Sequence, residues 1–232
     1  MVQCVDVPSE RAEDFSVMRV VSVNVGLPRE VQRGTDLVRT GIHKEPIRGR
    51  VAVRRHNLAG DGQADLSVHG GPDKAVYAYP IENYWYWSEQ LPGRELPFGI
   101  FGENLTVEGL PEDAVHIGDE LQLGSARLAV TQPRLPCFKL GIRFGDADMV
   151  PRFLASNRPG YYLAVLEEGD LGAGDAVEIV HRDENRLAVT ELFRLMVHDK
   201  TNRELMQRAL RVRHLAAVLR HKFESRLEES RQ

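Results

Sequence analysis

A chain of 232 residues, 42% hydrophobic and 28% charged, fits one large globular domain or one domain with a small appendage. A net charge of −4 makes no electrostatic case for nucleic acid or an anionic membrane as partner, and no apolar run approaches the roughly 18 residues of a membrane span. The two cysteines, Cys4 and Cys137, make no disulfide framework, so a reducing cytoplasm is the default; they also fall short of the roughly four that a cysteine-ligated iron–sulfur cluster takes, so electrons for any redox chemistry must come from outside the chain.

Residues 1–17 carry Glu10, Glu13 and Asp14 without an apolar core. They read as a polar extension rather than a secretory signal, with Met18 as an alternative start. From Arg19 the chain reads as short strands. Val21, Val23 and Val25 alternate with polar neighbours, and Val51 and Val53 do the same. Further strands are expected over Ala75 to Tyr79, Leu105 to Val107, Leu121 to Leu123, Leu128 to Thr131, Tyr161 to Leu166 and Ala176 to Val180. Gly60-Asp61-Gly62, Gly70-Gly71-Pro72, Pro92-Gly93, Gly169-Asp170 and Gly172-Ala173-Gly174 punctuate them as turns. Helices are expected from about Ile81 to Gln90 and from about Ala147 to Ser156. Two stretches echo each other, Ile117-Gly118-Asp119-Glu120-Leu121 and Ala173-Gly174-Asp175-Ala176-Val177; both read as tight turns launching a strand. Many short strands with turn signals argue for a β-barrel or sandwich.

After His181 the character changes. Asp183-Glu184-Asn185-Arg186 reads as a charged linker. Leu192, Leu195 and Met196, then Leu205, Met206, Ala209 and Leu210, then Leu215, Val218, Leu219 and Phe223 keep helical spacing, which predicts three short helices over about Val189 to Glu228. Thr201 is the expected cap of the second, with Glu204 completing a capping box. The basic residues of this region suit a solvated surface or an interaction face.

Three stretches carry chemistry. In Gln132-Pro133-Arg134-Leu135-Pro136-Cys137-Phe138-Lys139-Leu140, two prolines stiffen the approach to a thiol at a strand end, and Arg134 and Lys139 flank it with the positive charge that favours a thiolate. That suits a metal ligand or a nucleophile, and equally a small buried hydrophobe. The stretch Leu58 to Pro80 puts His69 before Gly70, Gly71 and then Lys74. A glycine-rich turn with a lysine can hold an anion through its amides, or be no more than a demanding turn. Finally, Phe101-Gly102-Glu103-Asn104-Leu105 offers a carboxylate and an amide just before a strand.

Taken in order, Gly60-Asp61-Gly62-Gln63-Ala64-Asp65, His69-Gly70-Gly71-Pro72-Asp73-Lys74-Ala75-Val76, Phe101 to Leu105 and Gln132 to Leu140 resemble the MOSC domain family and its YiiM-type subgroup. The resemblance covers about Arg19 to Phe223. It implies a mainly β fold with α: a MOSC-type β-barrel over 18–183, with a small three-helix appendage over 184–232. It further implies a molybdenum–pterin cofactor (molybdopterin), with Cys137 as thiolate ligand to the metal and no iron–sulfur cluster. His69, Gly70, Gly71, Lys74, Arg134 and Lys139 are the residues it suggests for the pterin and its phosphate. Asn104 and Glu103 would line the same pocket, and His69 or Glu103 would relay protons. The activity implied is reduction of N-hydroxylated compounds, such as hydroxylaminopurines and amidoximes, to the amine. The partners implied are that small substrate and a separate electron donor, a flavoprotein reductase; a homodimer is compatible with it. The alternative is a sulfur or cofactor carrier using Cys137 as a persulfide or metal-holding residue. A third reading is an interaction module in which the thiol is inert.

Overall fold

The structure is a computed structural model that describes residues 17–64 and 70–229. The chain begins with β1 (Arg19–Val25) and the hairpin β2 (Arg29–Arg33) and β3 (Asp36–Thr40), followed by β4 (Glu45–Pro46), β5 (Arg50–Arg54) and β6 (Asn57–Leu58). A 3-10 turn (Pro72–Lys74) leads to β7 (Val76–Pro80), α1 (Ile81–Gln90) and β8 (Leu105–Glu108). Next come β9 (Glu120–Leu123), β10 (Ala126–Pro133), α2 (Phe138–Phe144), α3 (Met149–Ser156), β11 (Tyr161–Glu167), β12 (Gly169–Gly172) and β13 (Val177–His181). The last elements are α4 (Val189–Val197), α5 (Arg203–Arg211) and α6 (Ala217–Glu229).

Eight strands form one sheet in the order β13-β9-β10-β11-β7-β8-β1-β4. All pairs in it are antiparallel except β7 with β8, which are joined through α1 and run parallel. Among the described residues no full strand pair closes the sheet. Instead, a single antiparallel bridge between Arg19 and Ala176 brings β1 to the start of β13, with Val177 N–H to Met18 O at 2.9 Å. The barrel expected from the sequence is therefore a strongly curled sheet with a narrow seam. A separate sheet, β12-β5-β6, packs beside it.

Side-chain alternation along β7 divides the interior into two cores. Val76 and Ala78 enter an aliphatic core with Val20, Leu105, Leu128 and Leu163. Tyr77 and Tyr79 point the other way, into an aromatic core with Tyr84, Trp87, Phe101 and Phe153. The rings meet at centroid distances of 4.7 Å for Tyr79–Phe101 and 5.1 Å for Tyr84–Phe101, which favours tilted and edge-on contacts.

The C-terminal helices share the aliphatic core: Leu192, Leu195, Ala209, Leu219 and Phe223 are buried in the same cluster as the strands. The stretch expected to be a charged linker is anchored rather than loose. Asp183 is buried, its amide donates to Asp119 Oδ1 at 3.1 Å, and its carboxylate packs where a side chain on Gly118 would stand.

The two echoing turns share one geometry. Asp119 Oδ2 accepts from His116 N–H at 3.0 Å, and Asp175 Oδ2 accepts from Gly172 N–H, also at 3.0 Å. In each, the preceding glycine has φ near +92°, a conformation that disfavours side chains. Each turn launches a strand, and the two strands, β9 and β13, pair with each other.

Several expectations need correction. Gly169-Asp170 is not a turn but the start of β12, paired with β5. The third helix starts at Met149 rather than Ala147, and Pro151 sits within its first turn, where a missing N–H costs no helical bond. Asn202, not Thr201, caps α5, with Oδ1 accepting from Leu205 N–H at 2.9 Å. Cys137 does not stand at a strand end. Strand β10 stops at Pro133, and Cys137 is the residue that opens α2.

Candidate functional site

One cleft gathers residues from the sheet, the glycine-rich turn and the loop into α2. Its walls include Ile42, Tyr77, Tyr162, Leu135, Gly102 and Ala64.

The thiol side of the cleft is built by the run from β10 into α2. Arg134 N–H reaches Gly160 O at 3.4 Å, the two prolines narrow the backbone choices, and Leu140 N–H closes back on Cys137 O at 2.9 Å. Helix α2 is held by Leu140 and Phe144, which lie on one face and enter the aromatic core. Gly145 ends it with φ +61°. The half-buried Cys137 and Lys139 thereby face the cleft together.

Arg134 enters the same space from below. It is 6% exposed, and its guanidinium lies over the rings of Tyr77 at 5.0 Å and Phe153 at 5.2 Å. Its Nη1 is buried and has no hydrogen-bond acceptor among the described residues. A buried guanidinium with a donor to spare fits an anionic ligand.

The glycine-rich turn forms a second wall. Gly71 has φ +96°, and its N–H donates to Gln63 Oε1 at 3.2 Å. Gln63 Nε2 donates in turn to Lys74 O at 3.0 Å and His56 O at 3.1 Å. One glutamine side chain thus ties Gly71 to Lys74 and presents Lys74 to the cleft, where burial lowers the Lys74 pKa despite the neighbouring Asp73.

The floor was not foreseen. Lys44 Nζ pairs with Asp61 Oδ1, and both residues are less than a tenth exposed. Asp61 Oδ1 also accepts from Gly26 N–H at 3.0 Å, and Asp61 Oδ2 accepts from Asn104 Nδ2 at 2.9 Å. Asn104 Oδ1 accepts from Tyr77 N–H at 3.0 Å, which ties this cluster to β7. Burial lowers the Lys44 pKa, and Asp61 opposes that shift. Lys44, Asp61, Gln63, Tyr77 and Tyr162 had no distinguishing sequence signal beyond the Gly60-Asp61-Gly62-Gln63 motif itself.

The expected site residues therefore divide. Lys74, Asn104, Arg134, Cys137 and Lys139 line one cleft. Gly70 and Gly71 shape its wall without lining it. His69 lies outside the described residues. Glu103 does not face the cleft: it is fully buried, its Oε1 accepts from Tyr84 OH, from Gly99 N–H at 2.7 Å and from Thr106 Oγ1 at 3.0 Å, and burial pushes its carboxyl pKa up. Its bonds hold the Gly99–Gly102 turn against α1, so the lining role expected of it is corrected to a structural one. Asn104, the acceptor asparagine of an Asn104-Leu105-Thr106 sequon, is 4% exposed and hydrogen-bonded on both sides of its amide.

Among the described residues no group of three His, Cys, Asp or Glu side chains could hold a metal alone. A metal at Cys137 would need its other ligands from a cofactor. The donor set present, one thiol ringed by Arg134, Lys74 and Lys139, fits an anionic cofactor that brings its own chelating atoms. No helix of the described residues is long and apolar enough to cross a membrane.

Residues 65–178 match the MOSC domain model, and residues 187–229 match the model described as YiiM-like, 3-alpha helix domain. The chain is 44% identical over 191 residues to the uncharacterized protein YflK of Bacillus subtilis, covering 82% of this chain and 86% of that one. It is 32% identical to a protein of Gibberella moniliformis named "Reductase", over 68% of this chain and 29% of that longer protein. The crystal structure of YiiM from Geobacillus stearothermophilus superposes with a TM-score of 0.76 at 34% identity, covering 90% of this chain and 99% of that one. The chain belongs to the MOSC domain family, in its YiiM-like branch.

Proposed function

We propose that this protein is a molybdenum-cofactor-dependent reductase of N-hydroxylated compounds. The observation that carries the reading is the convergence of Cys137 with the buried Arg134 and with Lys74 and Lys139 in one cleft. Membership of a molybdenum-cofactor-binding family supports it, as does the name "Reductase" carried by the Gibberella relative.

In this reading Cys137 Sγ is the protein ligand to the metal, and Arg134, Lys74 and Lys139 neutralise and orient the anionic cofactor. When bound, the cofactor supplies the two-electron reducing power. The overall conversion takes R–NHOH, two electrons and two protons to R–NH2 and water, with the N–O bond as the bond broken. The electrons come from a separate donor, a flavoprotein reductase. The chain's own residues position the substrate and supply protons. Ile42, Tyr77 and Tyr162 wall the cleft and limit water. Lys44 Nζ lines it and carries a proton that burial makes more acidic, placing it to protonate the departing oxygen or the amine nitrogen. Asp61 and Asn104 hold that ammonium in place.

The test is reduction of 6-hydroxylaminopurine by molybdenum-loaded protein with a reduced viologen dye. Amine formed in the parent, and at least a hundredfold less in Cys137→Ser, supports the reading. No turnover by fully loaded protein, together with a persulfide on Cys137 when a cysteine desulfurase is supplied, would replace it with the carrier reading.

A further inference from the structure

Beside the cleft lies a basic cluster that the cofactor reading does not use. Arg143 stands on α2 four residues after Lys139, so the two share a face about 6 Å apart along the axis. His43 lies between Ile42 and Lys44, both of which line the cleft. Arg29 opens the β2–β3 hairpin and is exposed. Arg143 Nη1 lies 3.2 Å from His43 Nδ1. An arginine only donates, so Nδ1 accepts and the imidazole proton sits on Nε2. Burial, then Arg29 and Arg143, lower the His43 pKa to about 4, so at neutral pH this ring is an uncharged donor.

The cluster has no internal counter-charge. Among the described residues neither Arg29 nor Arg143 forms an ion pair. The carboxylates Arg143 feels at longer range are Glu103, whose Oε1 is committed to Tyr84, Gly99 and Thr106 and whose buried Oε2 makes no hydrogen bond among the described residues, and the exposed Glu45. His43 Nε2 and Arg143 Nε are buried and make no hydrogen bond among the described residues. The buried Lys44 is by contrast paired, with Asp61. Arg143 Nε and His43 Nε2, both donors without an acceptor among the described residues, together with the exposed Arg29 beside residues that line the cleft, have the composition of an oxyanion site.

We propose that Arg29, His43 and Arg143 bind the phosphate monoester of the substrate, so that the protein acts preferentially on N-hydroxylated nucleotides rather than free bases. The assignment rests on the reductase reading for the identity of the substrate, but the site itself is tested by binding. A tetrahedral dianion can accept from both guanidinium forks and the imidazole N–H together, which a planar carboxylate does less well.

The experiment titrates molybdenum-loaded protein calorimetrically with adenosine 5′-monophosphate, which holds no N–O bond to reduce, and with adenosine. Parent, Arg29→Gln and Arg143→Gln proteins are compared at low salt, with molybdenum per chain measured for each. Arg29 is a surface residue, so its variant keeps the test valid if the Arg143 variant fails to fold. The site predicts at least tenfold tighter binding of the monophosphate than of the nucleoside in the parent, and loss of that preference in the variants at unchanged molybdenum. Equal binding of the two ligands by the parent overturns it. So does a fall in molybdenum in the variants, which would assign the cluster to the cofactor's own phosphate, and so does tighter binding of a carboxylated adenosine than of the monophosphate. A phosphate preference in a protein that reduces no N-hydroxylated compound would keep the site and discard the reductase reading.

Discussion

Asn104 Nδ2 donates to Asp61 Oδ2 at 2.9 Å, joining two segments 43 residues apart beneath the cleft. The same carboxylate pairs with Lys44, so three loops are fixed by one buried acid. Removing Asp61 would leave an ammonium without its counter-charge. Asp61→Ala is expected to cost about 3–5 kcal/mol in urea unfolding, the range for breaking a buried pair from one side. The double variant Lys44→Met with Asp61→Leu is expected to recover most of that loss. A single variant as stable as the parent would mean that Lys44 is solvated.

Gly71 holds φ +96° at the point where Gln63 braces the turn. Nothing crowds a Cβ there, so the cost of Gly71→Ala is conformational alone. About 1–3 kcal/mol is expected. Because the strain falls on the wall that carries Lys74, cofactor loading should drop with it. Chemical denaturation and metal analysis of the same preparation check both.

Asp73 connects the cleft wall to the C-terminal helices. Its Oδ2 accepts from Ala217 N–H at 2.8 Å, the first residue of α6, while Lys74 next to it lines the cleft. Asp73→Ala removes a cap supplied from 144 residues away in sequence. About 1 kcal/mol is expected, with faster hydrogen exchange in the first turn of α6. Unchanged exchange there would show that the contact does not cap the helix.

His43 gives stability a pH dependence of definite sign. Its folded pKa of about 4 lies below the roughly 6.5 of an unfolded histidine. The unfolded chain therefore binds more protons between those values, and stability falls as pH drops from about 6.5 toward about 4. Arg29 and Arg143 are the charges facing the ring. Relative to His43→Gln, the parent should lose stability across that window and run parallel above it. Parallel curves throughout would mean that His43 is solvated.

Elements with their own periodicity were legible in the sequence. The alternation of Val21, Val23 and Val25 gave β1, the apolar stripes gave the three C-terminal helices, and the echo of Gly118-Asp119 with Gly174-Asp175 marked two turns of one geometry. The β2–β3 hairpin was missed because Arg29, Glu30, Arg33, Asp36 and Arg39 leave it mostly exposed on both faces, with no apolar side to read. Helix α2 was missed because it has only seven residues and follows two prolines. Of the cleft, the motif residues Cys137, Arg134 and Lys74 were legible through local chemistry. Asn104 was named from its motif, but its bond to Asp61 and the pairing of Asp61 with Lys44 were not legible, because these partners meet only through tertiary folding. Glu103 was misjudged for the converse reason: although next to Asn104 in sequence, its carboxylate turns to Tyr84 and Gly99 beside the aromatic core rather than to the cleft.

The central claim is that Cys137 is the protein ligand to a molybdenum cofactor. The most direct measurement is molybdenum per chain in protein expressed with ample molybdate, for the parent and Cys137→Ser side by side, with the electronic spectrum of each. The account predicts near-stoichiometric metal in the parent, and loss of metal or an altered spectrum in the variant. A parent without molybdenum, from a host that loads other molybdenum enzymes, would contradict it, as would a variant with the parent's metal content and spectrum.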